Sequence, residues 1–120
     1  MLEALHIIDG DTVRHQLYGA IRLTGYNTPE IHGKCPDESR LAIRAKVRLQ
    51  QLAKEPSAEL ILSGKFCAWG RRCGIIQVNG KNVGEVLIAE GLAERYECKG
   101  NKCPKRRNWC QPQPHPQRPQ

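Results

Sequence analysis

Two short apolar segments of the chain each run into a loop that carries charged or amide side chains. The segments are residues 8–13 (IDGDTV) and residues 21–30 (IRLTGYNTPE). The polar side chains of interest are Asp11, Arg22, Asn27 and Glu30. If the two strands pair, these side chains fall into one small space. Oxygen ligands, a further carboxylate and a guanidinium are the groups needed to hold a hard cation and cleave a phosphodiester.

The elements that must position these side chains begin with three short strands and a helix. The strands are predicted at residues 5–8, 12–17 and 20–24. The turns between them are Asp9-Gly10 and Tyr18-Gly19. The helix is predicted from Pro36 to about Lys54, with Asp37 as its N-cap. One face of this helix is apolar and carries Leu41, Ala45, Leu49 and Leu52.

The second half of the chain predicts further strands and a second helix. The strands lie at residues 59–63, 74–78 and 92–96. Asn79-Gly80 predicts a hairpin turn, and Asn82 with Glu85 resembles a capping box for a helix that ends at Gly91. A meander, a helix and more strands indicate an α+β or mainly β fold: a small five-stranded barrel with two or three packed helices. The alternative is an open antiparallel sheet with two helices.

The charge of the chain is concentrated at its C-terminal end. The 120 residues suffice for one domain, expected at residues 1–97, followed by a basic, Cys- and Pro-rich tail at residues 98–120. Of the formal net charge of +7, residues 1–97 hold 13 basic and 12 acidic side chains, and the tail holds 6 basic side chains and no acid. This cationic tail either attracts a polyanion or is simply solvated. Its last stretch, 111–120, predicts disorder.

Six cysteines in a chain of this size predict disulfides and an oxidising compartment. The spacing favours two local bridges, Cys67–Cys73 and Cys98–Cys103, which would leave Cys35–Cys110 as the third. Fifteen pairings are possible in principle. The alternative is a metal site whose spacing matches no common zinc motif and whose ligands would be Cys98, Cys103, Cys110 and His115.

The start of the chain and its apolar stretches bear on its location. No stretch approaches the ~20 apolar residues of a membrane-spanning helix. Residues 1–8 include Glu3 and His6 and lack the basic and apolar regions of a signal peptide. We therefore expect no membrane partner. We also expect the chain to be a monomer. The cysteines indicate that the protein is secreted or periplasmic.

The motifs taken together resemble the staphylococcal-nuclease-like family, also called thermonucleases. The resemblance covers nearly all of residues 3–97. Its motifs are residues 8–13 (IDGDTV), 22–23 (RL), 28–30 (TPE), 70–71 (GR), 83–88 (VGEVLI) and 91–93 (GLA). The resemblance implies that the barrel is of the OB-fold type, that the site lies at its rim, and that the activity is that of a calcium-dependent nuclease.

The resemblance also implies a role for each polar residue. The implied Ca²⁺ ligands are Asp11, Asn27 and the backbone carbonyl of Thr28, with Asp9 behind Asp11 as a second acid. The implied catalytic groups are the general base Glu30 and two clamps on the scissile phosphate, Arg22 and Arg71. The aromatic rings implied to stack on substrate bases are Trp69 and Tyr96, for which ordinary packing is the alternative.

One position departs from the family pattern. The family usually has Asp-Thr-Pro-Glu or Asp-Ala-Pro-Glu, whereas this chain has Asn27 before Thr28. An amide oxygen can ligate calcium, but the site loses one negative charge, so weaker metal binding is expected.

Three functions are compatible with these features. The first is a calcium-dependent nuclease that cleaves DNA or RNA with weak sequence preference. The second is a non-catalytic nucleic-acid-binding module on the same fold, with its metal site disabled by Asn27. The third is a protein-interaction module, which the charged site and the cationic tail make the weakest of the three.

Overall fold

The computed structural model describes residue 2 and residues 5–111 of the chain. The stretch predicted to be disordered lies outside the described residues except for Gln111, and so does His115 of the alternative metal site. Within the described part, no helix has the length and apolar character that crossing a bilayer requires.

The described residues form eight strands and two α-helices. The strands are β1 (Leu5–Asp9), β2 (Thr12–His15), β3 (Gly19–Leu23), β4 (Gly25–Asn27), β5 (Glu59–Phe66), β6 (Arg72–Val78), β7 (Lys81–Asn82) and β8 (Glu94–Tyr96). The main sheet has the order β1-β2-β3-β6-β5, with β7 paired to β6, and β4 pairs with β8 in a second sheet. The predicted meander is present as β1 to β3, which pair antiparallel.

The register of the main sheet decides which loops meet. Arg22 on β3 lies opposite Thr12 on one side and, through a parallel pairing, opposite Cys73 on the other. Asp11 therefore comes one residue before the partner of Arg22 on β2, and Arg71 comes two residues before its partner on β6, so the two loops lie on either side of Arg22.

The strand pairings do not close a barrel. In the part of the chain that the structure describes, β1 and β5 form the two ends of the sheet and no pairing joins them. The mixed α+β class is confirmed, with two α-helices and a short 3-10 turn at Ala68–Gly70. The closed five-stranded barrel remains a prediction.

The long helix α1 (Pro36–Ala53) packs its apolar stripe on the sheet. Its buried residues include Ala45, Leu49 and Leu52, which belong to the predicted face. The predicted N-cap is wrong, because Cys35 is the N-cap. Pro36 takes the first helical position, where its missing N–H costs no hydrogen bond, and Asp37 lies inside the first turn, where a carboxylate favours the helix dipole.

The short helix α2 (Val83–Ala89) begins at Asn82, as predicted. The Oδ1 atom of Asn82 accepts a hydrogen bond of 2.8 Å from the N–H of Gly84. Gly84 lies against the ring of Tyr26, where an added Cβ would come within 2.4 Å of the ring. This close contact holds β4, and with it Asn27, against the core.

Three disulfides link the described cysteines in the pairs that the spacing favoured. They are Cys35–Cys110, Cys67–Cys73 and Cys98–Cys103. No cysteine in the described residues is free. Three such pairs are typical of an oxidising environment.

The described part of the tail packs on the body of the protein. Trp109 is only 7% exposed, and the Arg107 guanidinium lies 4.4 Å from the centre of its ring. The backbone N–H of Arg107 donates to Oε2 of Glu94 on β8. The first part of the tail is therefore a structural element that lies next to β4 and β8.

Candidate active site

One rim of the main sheet collects most of the side chains that the sequence singled out. A cleft of ≈ 550 Å³ at this rim is lined by Asp9, Asp11, Arg22, Thr28, Glu30, Trp69, Arg71 and Arg106, among others. Asn27 lies at the back of the same region and lines the two adjoining clefts. Three carboxylates and three guanidinium groups therefore surround one space.

Asp11 is a buried carboxylate that several groups hold in place. Its Oδ2 atom accepts a hydrogen bond of 3.1 Å from the N–H of Thr28 and forms an ion pair of 3.4 Å with Nη2 of Arg22. The side chain of Thr12 donates to its Oδ1 atom. The turn before Asp11 lies so close to Thr28 that only a glycine fits at position 10, where a Cβ would come within 2.6 Å of the Thr28 methyl group.

Asp9 supports this turn from behind. Its Oδ1 atom accepts a hydrogen bond of 3.0 Å from the N–H of Asp11. Burial, followed by the charge of Asp11, raises the pKa of Asp9 from 3.8 to about 6. The two acids therefore resist being ionised together, and a nearby cation would favour the doubly ionised state.

Arg22 is anchored to the backbone as well as to the acids. Its Nη2 atom donates to the carbonyl of Tyr26 at 3.1 Å and to Oδ1 of Asn27, and its Nη1 atom donates to the carbonyl of Leu23. Its side chain is 13% exposed. These acceptors orient Arg22 before any ligand arrives, and a phosphate that binds its terminal N–H groups must displace some of them.

Asn27 is almost completely buried, with 1% of its surface exposed. Its Oδ1 atom faces two cations, because it accepts hydrogen bonds from Nη2 of Arg22 and, at 3.4 Å, from Nη2 of Arg106. Its Nδ2 atom is buried without a hydrogen-bond partner among the described residues. A carboxylate at this position would satisfy both cations and leave no unpaired donor.

Glu30 follows Asn27 and is exposed at the mouth of the cleft. Its Oε1 atom forms an ion pair of 2.5 Å with Nη1 of Arg106 from the tail, and the two side chains are 57% and 51% exposed. Its backbone N–H donates to Oε2 of Glu38 on α1. Since both partners are exposed, this ion pair is weak and exchangeable.

Sequence reasoning missed two residues of this site, Arg106 and Glu38. Glu38 is a buried carboxylate that accepts N–H bonds from Glu30 and Lys34 and so shapes the loop between β4 and α1. The signal for Arg106 was present: a disulfide from Cys110 to Cys35 brings the basic run beside the loop that contains Glu30.

The second predicted clamp, Arg71, lies on the opposite side of the cleft. Its Nε atom donates to the carbonyl of Ala68 at 2.9 Å, inside the loop closed by Cys67–Cys73. Burial, followed by the positive charge of Arg22, lowers the pKa of Arg71, with a smaller effect from Arg106. Guanidinium groups held together in this way gain stability from a bound anion.

The two predicted aromatic residues lie beside the arginines. Trp69 is 91% exposed and has a φ of 68°, a left-handed conformation that is rare outside glycine. Trp69 and Tyr96 both line a cleft of ≈ 840 Å³ that Arg22 and Arg71 also border. The ring of Trp69 is therefore not part of the packed core, and its role and that of Tyr96 in binding a substrate remain predictions.

The groups around Asp11 include oxygen donors of the kind that bind calcium. No group of three His, Cys, Asp or Glu side chains in the described ranges could hold a metal ion. The oxygen donors that the sequence predicts are one carboxylate (Asp11), one amide (Asn27) and one backbone carbonyl (Thr28), which is the chemical type that calcium takes. The donor atoms are therefore of the type that binds calcium. Their negative charge is low, because one carboxylate balances only half of the charge of a Ca²⁺ ion.

The cleft thus holds three guanidinium groups, which can bind phosphate oxygens, beside three carboxylates. The sequence model of the staphylococcal nuclease homologue family matches residues 20–113, which is more than half of the chain. The chain therefore belongs to this family, whose members are usually nucleases, bind nucleic acid and generally depend on calcium. No curated protein sequence matches the chain.

The matched segment contains both predicted clamps and Glu30 and extends beyond residue 97 into the tail. It therefore also includes Arg106. The division into residues 1–97 and 98–120 remains a prediction, although the described tail residues contact the body through Glu94 and Cys35.

Proposed function

We propose that this protein is a calcium-dependent nuclease that hydrolyses phosphodiester bonds of DNA or RNA with weak sequence preference. The observation that supports it most strongly is the gathering of Arg22, Arg71 and Arg106 around a cleft that also holds buried acids and the exposed Glu30. Such a set of cations fits the phosphate of a polynucleotide backbone, and no base-reading group is needed to bind it.

The arginines act on the reacting phosphate. Arg22 and Arg71 approach the cleft from β3 and from the turn before β6, so they contact the phosphate from two sides. Charge grows on its equatorial oxygens during attack, and guanidinium groups held at the cleft stabilise that charge. Losing either clamp should cost at least ~2.7–4 kcal/mol of transition-state stabilisation, as for other lost donors of this kind.

Glu30 is the general base. It takes a proton from the attacking water or orients that water toward phosphorus, and it can do so once Arg106 moves from its carboxylate to the incoming phosphate. The exposed ion pair makes this exchange inexpensive. Trp69 and Tyr96 hold the neighbouring bases by stacking, which is worth about 1–3 kcal/mol per base and tolerates any sequence.

A calcium ion would be held by Asp11, Asn27 and the Thr28 carbonyl, with Asp9 behind them, and would supply Lewis-acid polarisation of the phosphate. The protein's own contribution is to hold these oxygens at the rim through Thr28, Gly10 and Arg22. Because Asn27 replaces a carboxylate, we expect the affinity for calcium to be low. A secreted or periplasmic monomer would meet the calcium concentration that such a site needs.

A second function is favoured by one observation. Both the Asn27 amide oxygen and the Glu30 carboxylate are engaged by Arg106 in the structure. A protein that keeps these contacts when bound to nucleic acid would bind the polymer without cleaving it. This is the non-catalytic binding module.

Three cleavage assays decide between the nuclease and the binding module. They use plasmid nicking, single-stranded DNA and RNA, each with calcium and with EDTA. The nuclease predicts calcium-dependent cleavage that falls by about 10²–10⁴-fold in Glu30→Gln, the usual contribution of a general base. Glu59→Gln, an exposed acid on β5 that lines none of these clefts, is the matched control and should cleave normally. Binding of an oligonucleotide without cleavage at any calcium concentration would instead establish the binding module.

A further inference from the structure

The cleft that Asp11, Arg22 and Arg71 line is called the reaction cleft below. A second cleft continues from it toward the tail. It has a volume of ≈ 380 Å³ and lies between the loop before α1 and residues 105–111, and we call it the tail cleft. The residues that line both clefts are Thr28, Glu30 and Arg106. A chain molecule with one phosphate in the reaction cleft can therefore extend directly into the tail cleft.

The charges in the tail cleft favour an anion. Its acids other than Glu30 already accept backbone hydrogen bonds: Glu38 accepts from Glu30 and Lys34, and Glu94 accepts from Arg107. Its lysines, Lys34 and Lys105, have no ion-pair partner among the residues that the structure describes. The lining holds four basic side chains and three carboxylates, so the cleft has a formal net charge of +1, and its two lysines are the cations available to a bound phosphate.

The tail side of this cleft is held rigidly. The Cys35–Cys110 disulfide ties residue 110 to the N-cap of α1, and the buried ring of Trp109 anchors the residue before it. The backbone bond from Arg107 to Glu94 fixes the other end of the segment. Lys105 and Arg106 lie between this anchored segment and the Cys98–Cys103 bridge, so the backbone that carries them is fixed on both sides before a ligand binds.

We propose that the tail cleft is a phosphate-binding subsite, which takes the phosphate next to the scissile one in a single-stranded polynucleotide. Lys34 and Lys105 are its cationic groups, and Arg106 is the boundary between the two phosphates. This inference rests on the proposed nuclease function, since it names the substrate as a strand with at least two phosphates. This second phosphate contact makes the enzyme prefer polymers over molecules with a single phosphodiester.

The test uses the whole chain and two substrates, an octathymidylate and the dinucleotide dTpdT, which has one phosphate. The variant is Lys34→Gln with Lys105→Gln. The matched control is Lys99→Gln with Lys102→Gln, which removes the same charge from the Cys98–Cys103 loop, outside the tail cleft. Octathymidylate binding is measured in EDTA against salt concentration, and kcat/KM is measured for both substrates with calcium.

We expect the variant to bind octathymidylate about tenfold more weakly than the native chain, as for one lost charge-assisted contact. The slope of log K against log salt should become shallower by about 0.7, the value for one single-strand phosphate. The ratio of kcat/KM for the octamer to that for dTpdT should fall by a similar factor, and the control should keep both values.

An unchanged octamer-to-dinucleotide ratio and salt slope in the variant would overturn the subsite, even if cleavage itself is normal. An equal loss in the control would also overturn the subsite, because the tail would then attract the polymer only through its overall positive charge. If the chain cleaves neither substrate but the variant loses octamer binding and salt slope as expected, the subsite stands and the nuclease function falls.

Discussion

The amide at position 27 offers the sharpest test of the site, because the structure shows what a carboxylate would gain there. Asn27→Asp changes one buried atom and no shape. It removes the unpaired Nδ2 donor, which costs ~1–3 kcal/mol when buried, and it turns two hydrogen bonds from arginines into ion pairs. Against this, an ionised carboxylate that is 1% exposed and beside Asp11 costs several kcal/mol in desolvation and repulsion.

These effects nearly cancel in the metal-free protein, so we expect its free energy of unfolding to change by no more than about 1–2 kcal/mol. Calcium shifts the balance, because it relieves the repulsion between the two carboxylates. We expect calcium to bind at least about tenfold more tightly, since ligand charge is a principal control on calcium affinity. At saturating calcium the variant should gain ~1.4 kcal/mol more stability from binding than the native chain.

Isothermal titration calorimetry gives the affinity, and urea unfolding with and without calcium gives the stability. The matched control is Asn101→Asp, which adds the same charge in the exposed loop between Cys98 and Cys103. The reasoning fails if calcium affinity in Asn27→Asp is unchanged or lower, or if the control raises it equally. Either result would mean that position 27 is not a calcium ligand.

Two further predictions concern the tail and the half-buried Asp9. Replacing Cys35 and Cys110 by Ser opens a loop of 75 residues, so the free energy of unfolding should fall by about 4 kcal/mol in denaturant titrations. Removing the Cys67–Cys73 bridge, which has a sequence separation of 6, should lower it by less. Asp9→Asn, measured in EDTA, should stabilise the protein at pH 8 by about 1–2 kcal/mol. The shift from 3.8 to about 6 corresponds to at most ~3 kcal/mol at 1.36 kcal/mol per unit, and partial exposure reduces it. Because the folded pKa is raised, native Asp9 contributes stability below pH 3.8 that is lost as the pH rises through 6. The advantage of Asp9→Asn should therefore vanish near pH 4, and an advantage that persists there would contradict the assigned pKa.

The sequence predicted most of the features that depend on local physics. The helix face of Ala45, Leu49 and Leu52 follows from a period of 3.6 residues, and the Asn82 cap follows from the chemistry of a short polar side chain before a helix. The N-cap of α1 was misplaced because Asp37 is a better cap by type than Cys35. Pro36 decides the matter, since a proline is placed well at the first helical position and so moves the start of the helix.

The family and the site residues also follow from the sequence, because motifs at fixed spacing carry them. The family is confirmed by the match over residues 20–113. The roles given to Asp11, Glu30, Arg22 and Arg71 remain predictions, although the structure brings all four residues to one cleft. Calcium and the nuclease activity itself remain proposals for the experiments above.

The sequence by itself determined the residue types at the rim, the loss of one negative charge at Asn27 and the local disulfides, because each depends on neighbours within a few residues. The tertiary structure alone decided that Arg106 pairs with Glu30 across 76 positions and that Asn27 lies between two guanidinium groups. It also decided that, among the residues it describes, no pairing joins β1 to β5. These facts depend on contacts between distant segments, and local propensity contains no information about which distant groups will share a buried space.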